Sequence, residues 1–144
     1  MQLDFAFLAN FAAHLQDGRL VVFGADIDGM ECVGFPALAS QLVLVAKFWV
    51  FPEEPTEGHR LSIDLTKPGG QRIQLRTDEP LEAIRNQRNP DRPSAAQVTV
   101  NLMMTFDAVG IYLFHLSIDG QEVKAVPFQV SLVAPESEQA NEHS

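Results

Sequence analysis

Through most of this chain, apolar side chains recur at every second position, and that spacing leaves few folds open. Successive side chains of an extended strand point to opposite faces, so a period of two marks a strand with one face in a core. Leu61, Ile63 and Leu65 alternate with Arg60, Ser62 and Asp64, and Ile73 and Leu75 alternate with Arg72, Gln74 and Arg76. Between these runs, Lys67-Pro68-Gly69-Gly70 has Pro at the second turn position and Gly at the third, which predicts a type II turn closing a hairpin. Val98, Val100, Leu102, Met104 and Phe106 line one face of a further strand. Tyr112, Phe114, Leu116 and Ile118 form the inward face of the next, with Asp119-Gly120 as the tight turn after it. In the last strand Val123 and Ala125 read as inward, followed by Phe128, Val130 and Leu132. The two sets are out of phase, so a bulge is expected near Val126-Pro127, where Pro127 needs an edge or a bulge.

Nearer the start, Leu3 to Leu8 reads as a strand, Gln16 to Arg19 as a turn and Leu20 to Ala25 as its partner. Gln41 to Phe51 supplies a long third strand. About eight strands result. Thr77 to Pro93 is the one long connection, where Asp78 and Pro80 favour a single helical turn over Leu81 to Asn86. The expected fold is all-β, a two-sheet antiparallel sandwich occupying residues 1–134. Glu136, Glu138 and Glu142 lie in a stretch with nothing apolar beyond alanine, so residues 135–144 are expected to be a disordered acidic tail.

A chain of 144 residues is long enough to bury a core without staples. Its one cysteine, Cys32, forms no internal disulfide, which argues against an oxidising compartment. The start has no basic residue ahead of its apolar part and carries Asp4 within it, the reverse of a secretory signal. No apolar run approaches the roughly 18 residues that span a bilayer. A cytoplasmic protein is expected. The net charge of −9 repels phosphate backbones and anionic membrane surfaces, so neither nucleic acid nor membrane is an expected partner.

No motif carries catalysis. His14, His59, His115 and His143 are scattered, with no pair at the spacing of two zinc ligands. Asp26-Ile27-Asp28-Gly29 with Glu31 opens like a calcium loop, but Met30 takes the fifth position and Ala37 the twelfth, where oxygen ligands belong. A solvated turn is the better reading. No Gly-x-Ser-x-Gly elbow and no phosphate-cradling glycine motif occurs. No catalytic residue, cofactor or metal site is assigned.

Two stretches depart from the ordinary pattern. In the third strand Leu42, Leu44, Ala46, Phe48 and Val50 take one face, while Val43, Val45, Trp49 and Phe51 take most of the other. A sandwich strand is expected to keep one wet face. Ile111 and Leu113 add apolar residues to another outer face. Val43, Val45, Trp49, Ile111 and Leu113 are therefore candidate interface residues, covered by the segment Phe5 to Leu15, by the long connection, or by a second copy of the chain. Arg85, Arg88 and Arg92 make the long connection basic on an acidic protein, a candidate ligand or partner loop.

Phe106-Asp-Ala-Val-Gly-Ile-Tyr-Leu-Phe114 resembles the approach to the penultimate strand of immunoglobulin-like and fibronectin-like sandwiches. That resemblance implies that Tyr112 is a corner residue, with its hydroxyl bonded to backbone a few positions upstream, and that Trp49 is the counterpart of the core tryptophan. The chain as a whole resembles an uncharacterised family of short bacterial proteins. The shared features are Leu3-Asp4-Phe5-Ala6, Phe35-Pro36, Val100-Asn101-Leu102, Gly110 to Phe114, Asp119-Gly120 and Val126-Pro127-Phe128. This implies a stand-alone β-sandwich of unknown role, with no catalytic residue to carry over. The expected function is a non-enzymatic protein-binding or scaffolding domain, with a homodimer as one form. The alternative is a small-molecule, carbohydrate or calcium-binding module using Asp26, Asp28 and the Arg85 to Arg92 loop.

Overall fold

The computed structural model describes residues 1–81, 83 and 88–133. Among these are twelve strands and no helix. They are β1 (Gln2–Ala9), β2 (Phe11–His14), β3 (Leu20–Phe23), β4 (Gly29–Cys32), β5 (Ala37–Ala39), β6 (Val43–Val50), β7 (His59–Thr66), β8 (Arg72–Leu81), β9 (Ser94–Asn101), β10 (Met104–Phe106), β11 (Gly110–Ile118) and β12 (Gln121–Leu132). One sheet has the order β1-β6-β9 and another the order β4-β12-β11-β7-β8. The pairs β2-β3 and β5-β10 complete the set.

Alternation explains where the core lies. Ala6 and Leu8 of β1 and Leu44, Ala46, Phe48 and Val50 of β6 share one buried cluster with Leu61, Ile63 and Leu65 of β7. The same cluster holds Tyr112, Phe114 and Leu116 of β11 and Val126, Phe128 and Val130 of β12. The two larger sheets thus bury their apolar faces in a common interior, an arrangement compatible with a sandwich. Phe106 meets Tyr112 edge-on at 4.7 Å and stacks on Phe128 at 5.4 Å, so the three rings interlock at its centre. Truncating a ring such as Phe114 to alanine costs about 3–5 kcal/mol in a core of this kind. The Tyr112 hydroxyl donates to the Ala108 carbonyl at 2.9 Å and accepts from the Ala108 N–H at 3.2 Å, upstream as expected of a corner tyrosine.

Several local expectations change. β1 pairs with β6, while Leu20–Phe23 pairs with β2 across the Gln16–Arg19 turn. Val98 to Phe106 is two strands, because the partner switches from β6 to β5 while the inward side chains continue in step. At Lys67–Gly70 the positive φ falls on Gly70 at 94°, beyond the Gly70 N–H to Lys67 carbonyl bond. The loop is therefore a three-residue hairpin with a glycine bulge and no type II turn. In β12 the register slips at Val123, three residues before the expected bulge, so Val126, Phe128 and Val130 point inward and Leu132 is exposed. Pro127 lies opposite Leu113, just short of where β4 joins the other side of β12 at Gln129, so its missing N–H faces an open edge.

β8 runs on to Leu81, pairing Pro80 with Arg60 and Leu81 with His59, so the helical turn does not begin at Asp78. The rest of that turn, and the acidic tail, lie outside the described residues. Gly29–Cys32 was expected within a solvated turn and is a strand parallel to Gln129–Leu132. Any Cβ on Gly29 would stand 2.4 Å from the Gln129 carbonyl oxygen, so only glycine lets the two backbones meet there.

Candidate functional site

Trp49 and Arg92 are far apart in sequence and meet in space. β6 ends by presenting Trp49 on its outer face, the chain turns at Phe51, and the approach to β9 carries Arg92 and Pro93 alongside. Together Trp49, Phe51, Arg92 and Pro93 line an open groove of about 480 Å³. The Lys47 ammonium lies 4.3 Å from the Trp49 ring centroid and 4.0 Å from the Asp4 carboxylate, which fixes the indole against its own sheet. Trp49 therefore does not take the place of a core tryptophan: Phe48 and Val50 point inward, and Trp49 faces away from them.

The expected interface does not form one surface. Val45 is 0% exposed within the single chain yet lies outside the main core cluster, on the face shared with Phe7. Its own chain covers it, and β2 lies close to β6 on that side. Val43 is half-buried there too. Ile111, 55% exposed, and the half-buried Leu113 belong to the outer face of the five-stranded sheet. Ile111 lines a second groove of about 500 Å³ with Asp28, Glu31, Pro127 and Gln129. Arg88 lies in the connection before Arg92 and does not line the first groove, and Arg85 lies outside the described residues.

Two of the scattered histidines, His59 and His115, are both more than nine-tenths buried. His59 Nδ1 is 2.8 Å from an Asp119 carboxylate oxygen, and Nε2 is 2.8 Å from the Pro55 carbonyl. Both partners accept, so the two bonds are made together when both ring nitrogens carry protons. The hydrogen bond with Asp119 raises the His59 pKa above its ordinary value, against burial, which opposes the charge. Burial also pushes Asp119 up, but the bonds from His59 and from the Arg60 N–H outweigh it and hold the carboxyl below its usual value. This tie pins the start of β7 to the β11–β12 turn and to the Pro55 loop. Glu54, in the same loop, contacts the Met1 ammonium and accepts from the Phe51 N–H at 3.1 Å.

His115 sits mid-strand on the outer face of the five-stranded sheet. Its Nε2 is 2.7 Å from Thr66 Oγ1, and its Nδ1 is 2.7 Å from Glu122 Oε1 but off hydrogen-bond alignment. Arg72 bridges Glu122 and Asp64 beside it. Nothing in the spacing of the histidines signals either network, because both depend on pairing between distant strands. Among the described residues, no group of three or more His, Cys, Asp or Glu is placed to hold a metal. No helix there is long and apolar enough to cross a membrane.

No curated protein and no solved structure matches this chain. Residues 4–131 match the family of unknown function DUF6941, and the chain belongs to that family.

Proposed function

We propose that the chain is a non-enzymatic protein-binding or scaffolding domain on an immunoglobulin-like frame, working through protein contacts that include self-association. The Trp49–Phe51–Arg92–Pro93 groove carries the reading. An aromatic floor beside a guanidinium suits a partner segment that offers an apolar side chain next to a carboxylate, because aromatic and arginine side chains dominate binding energy at protein interfaces. The frame is supported by the β1-β6-β9 and β4-β12-β11-β7-β8 orders and by the Tyr112 hydroxyl reaching back to Ala108. Trp49 is the sole tryptophan, so its emission reports on the groove directly.

Capture from native lysate with the intact chain, Trp49→Ala and Arg92→Glu tests this. A partner held by the intact chain, lost by both variants and shifting Trp49 emission supports it. A partner held equally by all three places binding elsewhere. A second reading, as a small-molecule, carbohydrate or calcium module, draws on Asp28 and Glu31 in the Ile111 groove. A calcium- or sugar-dependent rise in melting temperature, abolished by Glu31→Gln, favours it.

A further inference from the structure

The stretch from Phe51 to Gly58, between β6 and β7, is a strap with one end in the Trp49 groove and the other on His59. Near Phe51 it closes on itself. The Glu54 N–H donates to the Phe51 carbonyl at 2.9 Å, and one Glu54 carboxylate oxygen accepts from the Phe51 N–H at 3.1 Å. The other Glu54 oxygen contacts the Met1 ammonium. One residue on, the Pro55 carbonyl meets His59 Nε2 at 2.8 Å. Past that bond the Thr56 carbonyl accepts from the Ala83 N–H at 3.1 Å, and Gly58 turns the chain into β7 at a φ of 85°. A groove wall at Phe51 is thereby tied, through Glu54 and Pro55, to a buried imidazole.

The ring holds that tie in one protonation state only. With both nitrogens protonated, His59 serves Asp119 through Nδ1 and Pro55 through Nε2. A neutral ring has one N–H for two acceptors. The Asp119 carboxylate claims it, because a bond to an ionised acceptor is stronger than one to a carbonyl. Asp119 is also held in place, by the Arg60 N–H at 2.9 Å. Nε2 then turns a lone pair toward the Pro55 oxygen, and two acceptors at 2.8 Å beside a buried ring repel. The charged groups that act on the ring are Asp119 from the β11–β12 turn, Glu54 from the strap and the Met1 ammonium from the start of the chain. β8 sets the apolar Leu81 opposite it. The Met1 ammonium is already engaged by Glu54, so none of these groups replaces the lost donor.

We infer that protonated His59 holds the strap against the Trp49 groove and that the neutral ring releases the Phe51 wall, so that pH gates the groove. The inference deepens the proposed function and rests on the reading of that groove as the partner site. Thr56 is held by Ala83, so the released stretch is Phe51 to Pro55 and the displacement falls on the groove. The bond with Asp119 raises the His59 pKa, which places the change above the ring's ordinary 6.5. The closed groove is the form below that change, and the open one follows on the alkaline side.

An NMR titration through the histidine range tests this by following the His59 ring, the Phe51 ring and the Trp49 indole N–H together. It compares the intact chain with His59→Gln and Glu54→Ala. In the intact chain the Phe51 and Trp49 signals are expected to shift with the midpoint of the His59 ring. His59→Gln is expected to abolish that shift. Glu54→Ala removes the acceptor of the Phe51 N–H, so His59 is expected to titrate while Phe51 and Trp49 stay still. If His59→Gln does not fold, Glu54→Ala alone decides. Signals that ignore the His59 midpoint, or that still shift in either variant, overturn the gate and leave the groove able to bind. A shift that survives in His59→Gln points to the Met1 ammonium, which contacts the same strap. A partner held equally by the intact chain, Trp49→Ala and Arg92→Glu overturns the groove reading instead, even where the signals shift together.

Discussion

β8 and β9 border the same groove, which Arg76, Glu79 and Pro80 line from one side and Val98, Thr99 and Val100 from the other, yet the two strands are built on opposite terms. β8 carries Arg72, Arg76, Asp78 and Glu79, slips its register twice against β7 and holds Asp78 at a φ of 49°. β9 is neutral, regular and matched to β6 residue for residue from Ser94 to Asn101; because the Leu102 N–H donates to the Leu42 carbonyl at 2.8 Å, Ala96, Val98 and Val100 turn their N–H groups toward β6 and Ala95, Gln97 and Thr99 turn theirs outward. A strand that must not pair again is interrupted by charge and irregularity. A strand left regular keeps its outward hydrogen bonds available.

The sharpest break of this contrast is proline scanning along β9. Ala96→Pro deletes an N–H turned toward β6 and is expected to cost about 3 kcal/mol or more in urea unfolding. Gln97→Pro, one residue away, is expected to cost about 1 kcal/mol or less, because its N–H turns outward. Equal losses at the two positions would contradict the phase assigned to β9.

The far end of β8 depends on His59 and Arg60, so pH is the next lever. Because His59 is raised above its ordinary 6.5, its contribution is full below that value and is lost as pH climbs through the raised one. Because Asp119 is lowered below 3.8, its contribution is full above that value and is lost as pH falls through the depressed one. Stability is therefore expected to fall by about 1–2 kcal/mol on the alkaline side, measured by urea unfolding at stepped pH. His59→Gln is expected to remove that slope. A variant with the slope of the intact chain would place the titrating group elsewhere.

Arg76→Met is expected to cost about 1 kcal/mol by releasing the Asn101 carbonyl, and to speed exchange at the neighbouring β9 amides. Asp78→Gly is the mildest change. Glycine adopts the left-handed conformation without strain, so the melting temperature is expected to stay level or rise by a degree or two, about 0.5 kcal/mol.

These contrasts also mark what a reader of the sequence alone can see. Leu61, Ile63 and Leu65, and Tyr112, Phe114 and Leu116, announce their buried faces by alternation, because that signal depends only on local backbone geometry. The Tyr112 hydroxyl was legible through its likeness to known corner tyrosines. Partner choice is a long-range property, so the β1–β6 pairing, the short β4 and β5 and the break after Asn101 were not legible. Alternation runs through Leu102 to Phe106 unchanged while the partner strand changes. The same blindness grouped Val45 and Ile111 as candidate interface residues, although one is sealed inside its chain and the other is open on a different sheet. In the groove, Trp49 and Arg92 were each singled out, but their meeting depends on where β6 ends and β9 begins.

Amide hydrogen exchange in β9, followed by NMR, tests the account most directly. In dilute solution, Ala96, Val98 and Val100 are expected to be protected and Ala95, Gln97 and Thr99 to exchange fast, giving an alternating profile. Uniform protection of all six amides would contradict the phase of β9 and its open outer side.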